Sequence, residues 1–205
     1  MTNPSTVSAG PDFSLEITAL AYGGDGVGRH GGKVVFVPGT IPGETVRVIA
    51  TTEHSRFIRA GLVAVERPAV ERIEPICPLA HRADANFATG RSAHWCPGCA
   101  YQHLDYSVEL RWKALQLQEL FARIARQKIP QGTWQEPVAA TATLGYRNKL
   151  VLHAGRDLQG NPAVGYYADD NRTLLDVTRC PLAHPAINAR LEELRADTTF
   201  IRRIR

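Results

Sequence analysis

The chain has 205 residues, 44% of them hydrophobic and 21% charged, a composition that buries a real core and excludes an extended, low-complexity chain. Nothing in it reads as a membrane span. The opening "MTNPSTVSAG" lacks the basic-then-apolar order of a secretory signal, so a cytoplasmic protein with no membrane partner is expected. The formal net charge of +4 arises entirely after residue 70, because residues 1–70 hold six Lys/Arg and six Asp/Glu while residues 71–205 hold 18 and 14. That surplus suits an acidic partner such as RNA without requiring one.

Residues 1–11 are expected to be a disordered start. From Asp12 to Pro68 the runs "SLEITAL", "KVVFV", "ETVRVIA" and "FIRAGLVAV" alternate or are β-branched, with "GGDGVGRHGG" and "PGTIPGE" as turns, which predicts a small all-β barrel. The glycine-rich "GDGVG" is not a dinucleotide loop, because it leads into the strand-like "GGKVVFVPG" and not into a helix. Its glycines supply either positive φ for hairpin turns or a bare edge where an RNA backbone could approach. Residues 69–104 read as loop. Then "YSVELRWKALQLQELFARIARQK" predicts a helix stopped by Pro130. Its apolar stripe of Leu110, Leu117, Leu120, Phe121 and Ile124 reads as ordinary core packing, and Arg111, Lys113, Arg123 and Arg126 as a basic outer surface. Strands are predicted at "LGYRNKLVLHA", "AVGYY" and "TLLDVT", followed by a helix over "HPAINARLEELRA".

Four cysteines stand at 77, 96, 99 and 180, three of them in the loop-like segment. In a compartment that keeps thiols reduced, four cysteines favour metal over disulfides. A redox C-x-x-C opens a helix after a strand, and no strand run precedes "SAHWCPGCAYQH". One C-x-x-C pair plus two distant single cysteines suits an iron–sulfur cluster. Zinc stays open as well, since His81, His94 and His103 lie close enough in sequence for a mixed Cys/His site.

Several of these stretches are similar to a known family. "GGDGVGRHGGKVVFVPGTIPGETVRV" is similar to the signature of the TRAM domain, a small RNA-binding β-barrel. "CPGCAYQHLDYSVELRWK", "GYRNK", "VGYY" and "RCPLAHPAIN" resemble, in the same order, segments of the SAM-dependent RNA uracil-C5 methyltransferases. The resemblance implies that Cys77, Cys96, Cys99 and Cys180 hold a 4Fe-4S cluster. Two departures are that 18 residues separate Cys77 from Cys96, a long insertion, and that Pro97 stands where the family has glycine. In the family a Rossmann-like domain binds SAM, a cysteine attacks C6 of uracil and a base removes the C5 proton.

The expected organisation is therefore a TRAM barrel over 12–68 followed by an incomplete α+β iron–sulfur and central domain over 69–205. In this reading the catalytic Rossmann-like domain is absent, the chain holds no catalytic residue and is inactive by itself, and SAM is used only by a complete enzyme. Its place would be in rRNA or tRNA modification, as a monomer. The alternative is a stand-alone RNA-binding protein with a four-cysteine metal site. For RNA contact, Arg29, Lys33 and Arg47 in the barrel and Tyr146, Arg147, Asn148 and Lys149 in "GYRNK" are the candidates. Tyr166 and Tyr167 are further stacking candidates. The competing reading of these residues is half-buried tyrosines and a solvated strand face.

Overall fold

A computed structural model describes residues 12–84 and 94–203; the expectation for residues 1–11 lies outside them. These residues form two compact units. The first comprises 12–74, 82–84 and 100–139, and the second 75–81, 94–99 and 140–203.

The first unit holds strands β1 (Phe13–Glu16), β2 (Ala19–Leu20), β3 (Gly26–His30), β4 (Lys33–Val37), β5 (Thr45–Glu53) and β6 (Phe57–Arg67), with helix α1 (Tyr106–Arg123). The sheet order is β1-β5-β6-β4-β3-β2. Because β1 and β2 are nearly continuous and pair with opposite edges, β1 with β5 and β2 with β3, the sheet closes on itself as a barrel. Register shifts along β5 and β6 supply the coiling that closure needs. Alternate residues point inward, and Leu15, Ile17, Val35, Val37, Val46, Val48, Ile58 and Leu62 form a sealed apolar core.

The glycine-rich stretch differs from its reading as a turn, because Gly26–His30 is a strand. Gly23, Gly24, Gly31 and Gly32, which flank it, carry the positive φ of the turns. Gly28 serves packing instead: a Cβ there would lie 2.5 Å from the Glu16 carbonyl oxygen and 2.8 Å from the Leu15 side chain. Its open face is thus closed by the barrel itself and is not an edge bared for RNA.

Helix α1 starts where Asp105 accepts hydrogen bonds from the Ser107 backbone N–H (2.9 Å) and hydroxyl (2.6 Å). It ends at Arg123, seven residues short of Pro130, and Arg126 then turns the chain away with φ of 52°. Its buried side is not the predicted stripe. Val108 and Gln116 are buried and Trp112 packs with Leu20, Ile41 and Leu104, whereas Leu117, Phe121 and Ile124 are exposed, Ile124 by 75%. Gln116 wins this choice of face because its amide donates to the carbonyls of Leu20 (3.2 Å) and Ala21 (2.8 Å), while the Tyr101 hydroxyl donates to its oxygen (3.2 Å). The first unit is therefore not all-β, and the expected fold class, a pure barrel followed by a separate α+β domain that owns the helix, is corrected on this point.

The second unit contains a three-stranded antiparallel sheet of β7 (His153–Arg156), β8 (Pro162–Tyr167) and β9 (Leu174–Asp176), with α2 (Pro185–Ala196) and α3 (Thr198–Arg202). Val164, Val177 and Leu191 make its core, with Leu79, Tyr166 and Phe200 packed against it. Of the predicted strand "LGYRNKLVLHA" only the last two residues are strand. Gly145 has φ of 69°, and Arg147 instead forms an isolated parallel bridge with Ala183. Among the described residues no helix is long and apolar enough to cross a membrane.

Candidate metal centre and nucleic-acid interface

All four cysteines belong to the second unit, and all four line one cavity of about 340 Å³. Three loop segments separated by up to a hundred residues are held there by backbone hydrogen bonds. The Cys96 N–H donates to the Leu79 carbonyl (2.8 Å), which ties the C-x-x-C loop to the turn closed by the Ala80 N–H and the Cys77 carbonyl (3.1 Å). Cys180 is fixed by Asn188 of α2, whose side-chain oxygen accepts from the Cys180 N–H (2.9 Å) and whose amide donates to the Cys180 carbonyl (3.0 Å). Arg147 joins the third segment to the second: its N–H donates to the Leu182 carbonyl (2.7 Å), its carbonyl accepts from His184 (2.8 Å), and its guanidinium donates to the Gly98 carbonyl (3.3 Å).

The electrostatics of this cavity follow from that crowding. Burial first, and then the neighbouring Cys77 and Cys180, push the Cys96 thiol pKa up, against a backbone hydrogen bond from Gly98 and the Arg147 charge. Thiolates gathered in one cavity call for a cationic group to share their charge. Burial opposes the charge of Arg147, but Tyr146 and the Cys99 and Cys180 sulfurs outweigh it and raise its pKa. Burial and Cys180 raise the Tyr166 phenol. Among the described residues no three His, Cys, Asp or Glu side chains are gathered closely enough to hold one metal ion.

The histidines that kept a mixed site open go elsewhere. His103 belongs to the first unit, where it is buried with Nε2 3.4 Å from the Thr40 carbonyl. Burial, helped by the Arg72 charge, lowers its pKa to about 4. His81 packs edge-on against Trp95, with ring centroids 4.2 Å apart. His94 Nδ1 lies 3.6 Å from Asp169 and 3.7 Å from Asp170.

The candidate RNA contacts fall in both units. Arg29 is exposed on β3; Lys33 pairs with Glu53 (2.5 Å) and also donates to the His54 carbonyl; Arg47 pairs with Asp12 (3.3 Å). In the second unit Tyr146, Asn148 and Lys149 are exposed. Arg147 is drawn inward onto Gly98, and Tyr166 is half-buried against the core. Sequence reasoning missed Asn188 as the clamp on Cys180. The signal available was a side-chain amide eight residues after a ligand candidate, at the opening of a helix.

A family profile for the TRAM domain matches residues 12–63. An uncharacterised RNA methyltransferase of Synechocystis sp. is 32% identical over 92% of this chain and 37% of its own length. The 23S rRNA (uracil(1939)-C(5))-methyltransferase of Alkalilimnicola ehrlichii is 32% identical over 89% of this chain and 38% of its own.

The chain carries a TRAM domain and, over most of its length, is similar to RNA methyltransferases.

It spans a little over a third of the length of these relatives. The Pyrococcus abyssi tRNA (uracil-54, C5)-methyltransferase, solved with S-adenosyl-L-homocysteine, shares the fold with a TM-score of 0.55 at 18% identity, over 93% of this chain and 40% of that one. These matches complete the correction of the fold class: the β-rich fold follows that of a methyltransferase across nearly the whole chain. The fold class expected without a catalytic domain is corrected by that likeness of fold, and the expectation of a chain inactive by itself has no support in these matches.

Proposed function

We propose that this chain acts in SAM-dependent methylation of uracil C5 in rRNA or tRNA, contributing RNA recognition through its barrel and a four-cysteine centre for a 4Fe-4S cluster. The observation that carries the reading is the alignment of nearly the whole chain with RNA methyltransferases, one of them named for uracil C5 of 23S rRNA.

The donor set fits a cluster. Four cysteines from three loops line one cavity, and a cluster takes one thiolate at each of its four iron corners. Cys77, Cys96, Cys99 and Cys180 would hold it, and Arg147 would offset part of the anionic charge. Bound there, the cluster supplies a cross-link among loops that have little core of their own. RNA phosphates would be met by Arg29, Lys33, Arg47 and Lys149, and Asn148 and Tyr146 would contact bases or a 2′-OH.

The test has three readouts on anaerobically purified protein: iron and sulfide content, RNA affinity against salt, and transfer of labelled methyl from SAM to uridine in RNA. The expected result is about four irons per chain and an affinity that falls by about 0.7 to 0.9 log units per neutralised phosphate for each log unit of salt. Methyl incorporation should map to C5. A colourless protein holding one zinc would overturn the cluster, and salt-independent binding would overturn the RNA interface.

A further inference from the structure

Cys180 stands on an arch between Val177 and Leu182, both buried, and the arch residues before it, Thr178 and Arg179, are exposed. Pro181 follows it, so the next residue has no N–H with which to anchor the arch. The anchor comes from the first turn of α2. Asn188 is half-buried there, and its side chain bonds both backbone groups of Cys180. Oδ1 accepts from the Cys180 N–H (2.9 Å), and Nδ2 donates to the Cys180 carbonyl (3.0 Å) and to the Ala183 carbonyl (3.4 Å).

A side-chain amide suits this task because it presents an acceptor and a donor side by side, as the N–H and carbonyl of one residue require. Its partners fix its orientation: the reverse flip would set Nδ2 against the Cys180 N–H and Oδ1 against two carbonyls. The helix that carries Asn188 is itself held by Leu191, one turn further along, in the core of the second unit. On its other side the arch is tied toward the C-x-x-C loop. The Cys180 carbonyl also accepts from the Ala183 N–H (3.0 Å), and Arg147 bonds the backbone of Leu182 and His184 while its guanidinium reaches the Gly98 carbonyl.

We propose that Asn188 is a positioning residue for the cluster: by holding Cys180 at its corner, it decides whether that iron is kept or lost to an oxidant. The proposal rests on the cluster reading above and deepens it by assigning the stability of one corner to one side chain. Under a one-electron oxidant such as ferricyanide, a doubly positive 4Fe-4S core that opens at this corner passes one electron to the oxidant and releases one ferrous ion. A singly positive 3Fe-4S core remains on Cys77, Cys96 and Cys99. The Cys180 sulfur keeps the electron pair of its broken bond to iron and takes a proton from water, which leaves a free thiol.

The test treats the full chain, purified anaerobically with its cluster, with a limiting dose of ferricyanide. Low-temperature EPR follows the three-iron signal, and mass spectrometry reads iodoacetamide label at each cysteine. Asn188→Ala should form the three-iron species about 10- to 100-fold faster than the wild type, with label on Cys180 and none on Cys77, Cys96 or Cys99. Asn188→Asp keeps the shape and the acceptor, loses the donated bonds and should fall between the two; it carries the test if the alanine variant does not fold. Leu191→Ala, which opens the core beneath the same helix, is the comparison for a merely structural defect and should expose all four cysteines together with no excess of three-iron signal. Wild-type rates in both Asn188 variants would overturn the positioning role and leave the cluster reading standing. Even labelling of all four cysteines in Asn188→Ala, as in Leu191→Ala, would also overturn it. A wild type that holds no iron would overturn both readings.

Discussion

Glu44 is fully buried, and its carboxylate ties the backbone at Ile41 to the turn holding Ala69 and Arg72. One oxygen accepts from the Ile41 N–H (3.0 Å) and from Arg72 Nη2 (2.8 Å), and the other meets Arg72 Nε and the Ala69 N–H. Arg72 also donates to the Gly39 carbonyl (2.8 Å). Glu44→Gln keeps the shape, removes the charge, and turns an N–H₂ toward donors that had an acceptor. Breaking one side of a buried pair costs about 3–5 kcal/mol. The Arg72 side chain is 21% exposed and keeps some water, which places the expected loss near the lower end, about 3 kcal/mol. Arg72→Met should cost a similar amount, since it strands the Glu44 carboxylate. The double variant should cost less than the sum of the two by about 2 kcal/mol, because no orphan charge remains. Native-state hydrogen exchange of β5 and β6 core amides reads the opening of this unit directly. Additivity within about 0.5 kcal/mol would show that the two groups are not coupled and would refute the reasoning.

Cys77→Ser, Cys96→Ser, Cys99→Ser and Cys180→Ser should each abolish or severely lower iron incorporation, measured by iron content and visible absorption, since all four line the same cavity; full loading of any one variant removes that residue from the ligand set. His103, with its pKa lowered to about 4 in the fold from an ordinary 6.5, is neutral where the unfolded chain takes up a proton. Its contribution to stability is therefore complete above pH about 6.5 and is lost as the pH falls toward 4, a change on the order of 3 kcal/mol. Urea midpoints across that window should slope for the wild type and flatten for His103→Gln. Gly28→Ala should cost at least about 2 kcal/mol, because the new methyl meets the Glu16 backbone oxygen at 2.5 Å and the strand must shift; a melting temperature equal to that of Gly132→Ala, where nothing lies within 4 Å and φ is not positive, would contradict this.

Strand periodicity made most of the barrel legible. "KVVFV", "ETVRVIA" and "FIRAGLVAV" are strands at or near the expected bounds because one face of each is buried and the alternation records it. Glycine misled twice, in opposite senses. In "GDGVGRH" it marked the interior of a strand where β1 passes close by, and in "GYRNK" it broke a strand that periodicity alone would continue. Helix α1 failed in a third way. Apolar spacing can show only which face is greasy, and here the buried face is set by Gln116 donating to two carbonyls at the end of β2. A polar anchor of that kind leaves no periodic trace.

The candidate metal centre was legible as a list of residues and illegible as a construction. Cysteine arithmetic and ordered motifs point to Cys77, Cys96, Cys99 and Cys180, but neither shows how loops so distant in sequence reach one cavity. The agents are backbone bonds and two side chains, Arg147 and Asn188, which were read respectively as an RNA contact and not at all. Arg147 shows why composition blurs roles: a basic residue beside a tyrosine, an asparagine and a lysine looks like part of a phosphate-binding run. Its neighbours Tyr146, Asn148 and Lys149 are exposed, whereas its own guanidinium is drawn to the Gly98 carbonyl and the sulfurs of Cys99 and Cys180. The long insertion between Cys77 and Cys96 is tolerated for a related reason. The Cys96 N–H bond to the Leu79 carbonyl fixes the two ends of that loop together, so its length adds only a slowly growing closure cost while the placement of Cys96 is set by the anchor.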